Sequence, residues 1–220
     1  MNALQPARAN PLFDPQNALA PRWTSIESMP VVSAYGPNDR EISRVVGIGD
    51  ASAFRRTGFK GPAAAAWLQQ QSLPIPELPN QWAPLPAGGL VARLGRSEFL
   101  IEDGVGQAAC ARLDASTVSP GVYPVLRQDA ALVLSGTRVG DLLLQTCSID
   151  FAALDAATRP VVLTSMVGVG VTVAVEAREA ARRYRVWCDG TYAAYLWTTL
   201  VEVARDLGGG PIGLDVLVLG

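Results

Sequence analysis

Histidine is absent from the 220 residues. That absence excludes Ser-His-Asp and Cys-His catalysis, histidine metal sites and histidyl attachment of a flavin. Lysine is reduced to Lys60, so Schiff-base chemistry would rest on one side chain. Cysteine is scarce: Cys110, Cys147 and Cys188 are odd in number, widely spaced and never in a Cys-x-x-Cys pair. This is the pattern of buried thiols in a reducing cytosol. Charged residues make up 17% of the chain against 49% hydrophobic, and the formal net charge is −2 with no basic run. Nucleic-acid binding is therefore not the expected main task. No apolar run reaches the ~18–20 residues of a membrane span. The stretch Val161–Val175 is broken by Thr164, Ser165, Gly168, Gly170 and Thr172 and reads as a buried strand pair. The N-terminus lacks the basic segment and apolar core of a signal peptide, so the expected location is the cytoplasm.

What is present is organised around Arg183–Tyr192 and the helix it launches. Tyr184, Val186 and Cys188 alternate with Arg183, Arg185 and Trp187, which predicts a strand. Asp189 stands where a helix N-cap belongs; its carboxylate can accept from free N–H groups and suits the positive end of the dipole. Tyr192, Leu196, Leu200 and Val203 form one stripe of a helix that Gly208-Gly209-Gly210 ends. The same phrase occurs earlier: the apolar strand Phe99–Glu102, then Asp103-Gly104, then a candidate helix through Ala108–Leu113. Upstream of each copy lies another matching pair. Gly61-Pro62 opens a helix through Gln70, and Gly136-Thr137 opens one through Cys147, with Thr137 as N-cap. The chain thus reads as an internally duplicated α+β domain over 43–220, with repeats at about 44–115 and 122–218.

Residues 1–42 hold six prolines and little periodicity, so the segment is expected to be extended, not helical. Phe13, Trp23, Ile26 and Met29 make it either a loose terminus or an arm lying on this domain or on a partner. Short strands are expected at Arg44–Ile48 and Phe54–Phe59, and a strand, turn and strand over 88–102. Further strands are expected at Val122–Arg127, Ala131–Ser135, Val161–Met166 and Val169–Glu176, with a last one at Ile212–Leu219 closing a sheet edge.

No motif carries chemistry on its own. Gly168-Val169-Gly170 lacks a third glycine and a following helix, so it reads as a turn and not a dinucleotide fingerprint. Arg55, Arg56 and Lys60 form a small basic cluster, read as a solvated strand edge before an anion site. Trp187 and Trp197 are read as packing residues before a ligand stack.

Four stretches carry a family resemblance: Phe59–Leu68 (Phe-Lys-Gly-Pro-Ala-Ala-Ala-Ala-Trp-Leu), Val91–Glu102, Arg127–Ala130, and Asp189–Trp197 (Asp-Gly-Thr-Tyr-Ala-Ala-Tyr-Leu-Trp). Over about residues 44–210 the chain resembles the gamma subunit of heterotetrameric sarcosine oxidase and the related small subunit of N-methylglutamate dehydrogenase. Those subunits look like the folate-binding part of the glycine cleavage T-protein, an aminomethyltransferase. The resemblance implies a duplicated β2-α-β3-α unit with swapped strands. It also implies a non-catalytic accessory role beside larger alpha and beta flavoenzyme subunits and a small zinc-binding delta subunit. FAD, FMN, NAD, zinc and tetrahydrofolate are expected on those other subunits. The catalytic acid of an aminomethyltransferase has no counterpart in Val169–Val173, and a Lys-Gly-Cys signature is missing. No catalytic, cofactor-binding or metal-binding residue is therefore expected here. A stand-alone tetrahydrofolate-binding protein or aminomethyltransferase-like enzyme is the alternative. It would need an acid in a central pocket, with Asp129 and Glu176 as the candidates.

Overall fold

Alternation along the strands decides how the layers stack. In Arg183–Cys188, Tyr184, Val186 and Cys188 join a cluster that packs on helices, while Trp187 joins a different cluster on the opposite face. The computed structural model describes residues 8–178 and 181–219. Its elements, in chain order, are α1 (Phe13–Asn17), β1 (Arg22–Ile26), β2 (Met29–Ala34), α2 (Asp39–Val46), β3 (Gly47–Asp50), β4 (Arg56–Lys60), α3 (Ala64–Gln70), β5 (Gln81–Pro84), β6 (Leu90–Arg93), β7 (Glu98–Glu102), α4 (Ala109–Asp114), β8 (Tyr123–Val125), β9 (Ala130–Ser135), α5 (Val139–Thr146), β10 (Val161–Met166), β11 (Val169–Glu176), β12 (Arg183–Cys188), α6 (Ala193–Asp206), β13 (Gly210–Ile212) and α7 (Leu214–Leu219).

This is a mixed α+β fold. One sheet has the order β10-β11-β12-β9-β3-β13, another β5-β6-β7-β4-β8, and β1-β2 is a separate hairpin. Among the described residues only the β13–β3 pair is parallel. The outer face of the five-stranded sheet, through Phe59, Val91, Phe99 and Ile101, packs on Trp67 and Leu68 of α3 and Cys110 and Leu113 of α4. The outer face of the six-stranded sheet, through Leu132, Leu134 and Val186, packs on Leu142 of α5 and Leu196, Trp197 and Leu200 of α6. Between the sheets lie Leu90, Ala92, Leu100, Ala131, Val133, Ala174 and Trp187. The layers therefore run helices, sheet, sheet, helices.

The two sheet orders correspond strand for strand. The meander β5-β6-β7 matches β10-β11-β12, β4 matches β9, and the next strand in each sheet comes from the other half of the chain: β8 beside β4, β3 beside β9. Two glycines make these crossings possible. Gly61 and Gly136 follow β4 and β9 and have φ of +120° and +109°. A Cβ on Gly61 would collide with the carbonyl oxygen of Gly121, and one on Gly136 with that of Val45. Those same carbonyls, each just upstream of the crossing strand, accept from the amides of Ala63 (3.2 Å) and Arg138 (2.9 Å). The glycine is thus the point where an incoming backbone touches the start of a helix.

The structure corrects several expectations. Residues 10–42 are not simply extended: Phe13–Asn17 is helical, and β1-β2 is a hairpin whose two turn residues, Glu27 and Ser28, have positive φ. Pro30 is tolerated because β2 pairs with β1 alone. Met29, Val31 and Val32 are buried. The expected strand Arg44–Ile48 is the end of α2 followed by β3. Asp39 and Glu41 in the first turn of α2 and Arg44 in the last suit its dipole. Asp39 is buried and accepts from the amides of Tyr35, Gly36 and Gly213, each at 2.9 Å, so it holds the start of α2 to the C-terminal segment. The expected strand Ile212–Leu219 is β13, ending at Ile212, followed by helix α7. Leu214 and Leu217, three apart, pack toward the core, and tertiary burial overrides the β-branched pattern. Thr137 is not an N-cap; its hydroxyl donates to the Arg44 carbonyl at 3.1 Å.

G61A and G136A are each expected to destabilise the protein by more than about 2 kcal/mol, because a strained φ and a backbone collision coincide. Urea unfolding midpoints check this, with G140A as the control in open space.

Candidate functional site

The inner faces of the sheets carry charge as well as apolar side chains. Glu102, at the end of β7, is 0% exposed. It accepts from Arg56 Nη1 of the adjacent β4 (3.0 Å) and, across the layer, from Arg185 Nη1 (2.5 Å) and Trp187 Nε1 (2.7 Å) of β12. Arg185 continues to Glu176 at 3.3 Å and donates to the Gly88 carbonyl at 3.1 Å. Glu176 also pairs with Arg183 at 2.7 Å. Burial lowers the pKa of the Arg183 guanidinium, with Glu176 opposing that shift. Arg56 further donates to the carbonyls of Ala51, Ser52 and Asp129. Trp82 of β5 adds a second tie between sheets, its Nε1 donating to the Val175 carbonyl at 2.9 Å.

Each carboxylate here is matched by guanidinium or indole donors, which is the condition for burying charge without a large penalty. None of these groups is left as a base beside a substrate-sized space between the sheets. Trp187, 2% exposed, occupies the middle of that space. Glu176 is accordingly a structural ion-pair residue. Asp129 lies elsewhere: Ala130 pairs with Cys188 while Glu176 pairs with Arg183, which separates the two acids by about 20 Å along the strands. They do not form a dyad.

Asp129 lines the polar basin at its end of the sheets, a cavity of about 860 Å³. Its wall comes from Arg8, Ala9 and Pro11, the β1-β2 turn, Ser52 with Arg55 and Arg56, Asp114, and residues 126–129. Nothing in the local sequence of Arg8 or Glu27 signals this role. The walls meet only because the hairpin folds back over the loop before β4.

The other singled-out residues are dispersed. Arg55 pairs with Asp114 at 3.0 Å, Arg56 is buried on Glu102, and Lys60 is exposed at the far end of β4, so Lys60 stands apart while Arg55 and Arg56 both line the basin. Trp187 and Trp197 lie on opposite faces of the six-stranded sheet and do not stack. Val167-Gly168 is a two-residue hairpin turn. Asp189 accepts from the Thr191 amide at 2.8 Å, and this bond and the one from the Thr191 hydroxyl lower its pKa. The three cysteines are buried and free. Burial pushes the Cys110 thiol up, and it pushes Cys188 up to about 11, aided by Asp129 and Asp189. Both shifts work against a thiolate at neutral pH. Among the described residues no group of three or more cysteine and acidic side chains is placed to hold a metal ion, and no helix is long and apolar enough to cross a membrane.

Removing one member of the network leaves its partners as buried, unpaired charge. E102A is expected to cost about 3–5 kcal/mol, and W187F, which loses one hydrogen bond to a charged group, about 1–3 kcal/mol. Urea unfolding with matched slopes measures both. Thiol titration with a chromogenic disulfide at pH 8 is expected to show slow reaction of Cys110 and Cys188 in the folded protein and rapid reaction of all three cysteines in denaturant.

No family model matches this sequence, and no curated protein matches it. Solved structures do match the fold. The aminomethyltransferase T of the glycine cleavage system from Bartonella henselae superposes with a TM-score of 0.73 at 15% identity, over 96% of this chain and 60% of that one. The chain thus spans 60% of the aminomethyltransferase's length. A chain of the heterotetrameric sarcosine oxidase from Corynebacterium sp. U-96, solved with pyrrole 2-carboxylate, superposes with a TM-score of 0.64 at 16% identity, over 76% of this chain and 88% of that one. At such identities the likeness is one of fold: this chain has an aminomethyltransferase-like fold, also found in a chain of a sarcosine oxidase.

Proposed function

We propose that this chain is a non-catalytic, gamma-type subunit of a heterotetrameric, sarcosine oxidase-like flavoenzyme that oxidises an N-methyl amino acid. The observation that carries the reading is the filled centre. Trp187 and the Glu102–Arg185–Glu176 network take the space between the sheets where a ligand held between the two halves would need room. A second point supports it. The matched sarcosine oxidase chain is nearly covered by this one, so it is a polypeptide of similar size and not one domain of a much larger chain. On this reading the chain contributes buried interface, and FAD, FMN, NAD, zinc and tetrahydrofolate belong to the alpha, beta and delta partners. Tyr123, Leu126, Leu144, Leu163, Tyr192 and Tyr195, large apolar residues exposed on the isolated chain, are the natural contact residues.

The alternative, a free-standing tetrahydrofolate-binding or aminomethyltransferase-like protein, rests on the fold shared with aminomethyltransferase T. Affinity purification of the tagged chain from its native cell separates the two. Equal amounts of two larger chains and a small one, carrying flavin, are expected. A lone chain that binds tetrahydrofolate in calorimetry would overturn the subunit reading.

A further inference from the structure

The basin beside Asp129 has an electrostatic imbalance. Three of its four guanidinium groups have carboxylate partners: Arg55 with Asp114 at 3.0 Å, Arg56 with Glu102 at 3.0 Å, and Arg127 with Glu98 at 2.7 Å. The fourth, Arg8, donates only to the carbonyls of Ala53 (3.2 Å) and Ser52 (3.4 Å) and has no ion-pair partner among the described residues. Burial lowers its pKa, and Arg56 and Arg55 push the same way against Glu27, an exposed acid at the basin wall. A partly buried guanidinium beside other guanidiniums is a position short of one negative charge.

Asp129 presents the opposite deficit. Its carboxylate has no hydrogen-bond donor or ion-pair partner among the described residues; Oδ2 is closed off by the protein, which leaves Oδ1 as the oxygen that faces the basin. A half-desolvated carboxylate without a donor is costly, and a cationic group that reaches Oδ1 would offset that cost. The two deficits line one cavity of about 860 Å³, within the usual size range of small-molecule sites.

We propose that this basin binds a small zwitterion of the amino-acid type, its carboxylate on Arg8 and its ammonium on Asp129. A simple anion would satisfy Arg8 but stand near the Asp129 charge, and a simple amine would do the reverse. A molecule carrying both groups answers both deficits. The proposal is one of binding alone. It does not depend on the subunit reading, because the walls all belong to this chain.

Isothermal calorimetry on the full chain tests this with glycine, β-alanine, 4-aminobutyrate and 6-aminohexanoate, which step the distance between ammonium and carboxylate. Acetate and methylamine serve as half-ligands. One member of the series is expected to bind with a Kd of about 1 mM or tighter, and R8Q and D129N are each expected to weaken it at least tenfold. Where D129N lowers the melting temperature, R8Q decides, because the best amino acid is expected to raise the melting temperature of the parent chain and not that of R8Q. The proposal is overturned if no member binds at tens of millimolar, if acetate or methylamine binds as tightly as the best amino acid, or if R8Q leaves affinity unchanged.

Discussion

Two antiparallel sheets that each carry helices on one face must meet across the other, and here that meeting is governed by a carboxylate. Glu102 is buried on β7, and three donors from two elements converge on it: Arg56 beside it, Arg185 and Trp187 across the layer. Apolar side chains alone allow one sheet to slide on another at modest cost. Directional hydrogen bonds between charged groups do not, since an offset of one residue strands a buried charge. The register of sheet on sheet therefore rests on Glu102, and Arg185 carries it on to Glu176 and the far end of β11.

The same arrangement divides the molecule functionally. The middle of the sandwich is committed to structure. A basin lined with charged side chains lies at one end, where Arg8, Ala9, Pro11 and the β1-β2 turn are folded against the loops leading into β4 and β9. The segment before α2 is thus part of the domain's surface chemistry. Stacking of Phe13 on Trp23, with ring centroids 4.9 Å apart, helps hold it there.

Much of this was legible in the chain itself. The alternation in 183–188, the Asp189 cap, the hairpin 161–176 and the glycines at 61 and 136 all read correctly as local structure. What failed did so for local reasons. Prolines masked a hairpin whose strands have a single pairing partner. The β-branched residues of 212–219 imitated a strand where leucines spaced three apart seat a helix. The charged layer was the deeper miss. Arg183, Arg185 and Trp187 were one face of a strand, and arginines suggest solvent. The tryptophan next to them on that face is the available signal that the face is covered. Asp129 is legible as a candidate acid, but as an alternative to Glu176 in a central pocket; its place at the opposite end of the sheets depends on strand pairing that no local pattern contains.

The crossing strands also bear on the order in which the protein can be completed on the ribosome. The five-stranded sheet lacks its last strand until Tyr123–Val125 has emerged, and Gly47–Asp50, made early, has no neighbour until Ala130–Ser135 follows. Neither half can close its sheet from its own residues, so a nascent chain halted between the two must hold open edges. A nick in the link at 114–121 would likewise produce two fragments that each own a strand belonging to the other. The pieces could regain the fold only by finding one another, which makes this a domain that is synthesised in two halves but folds as one.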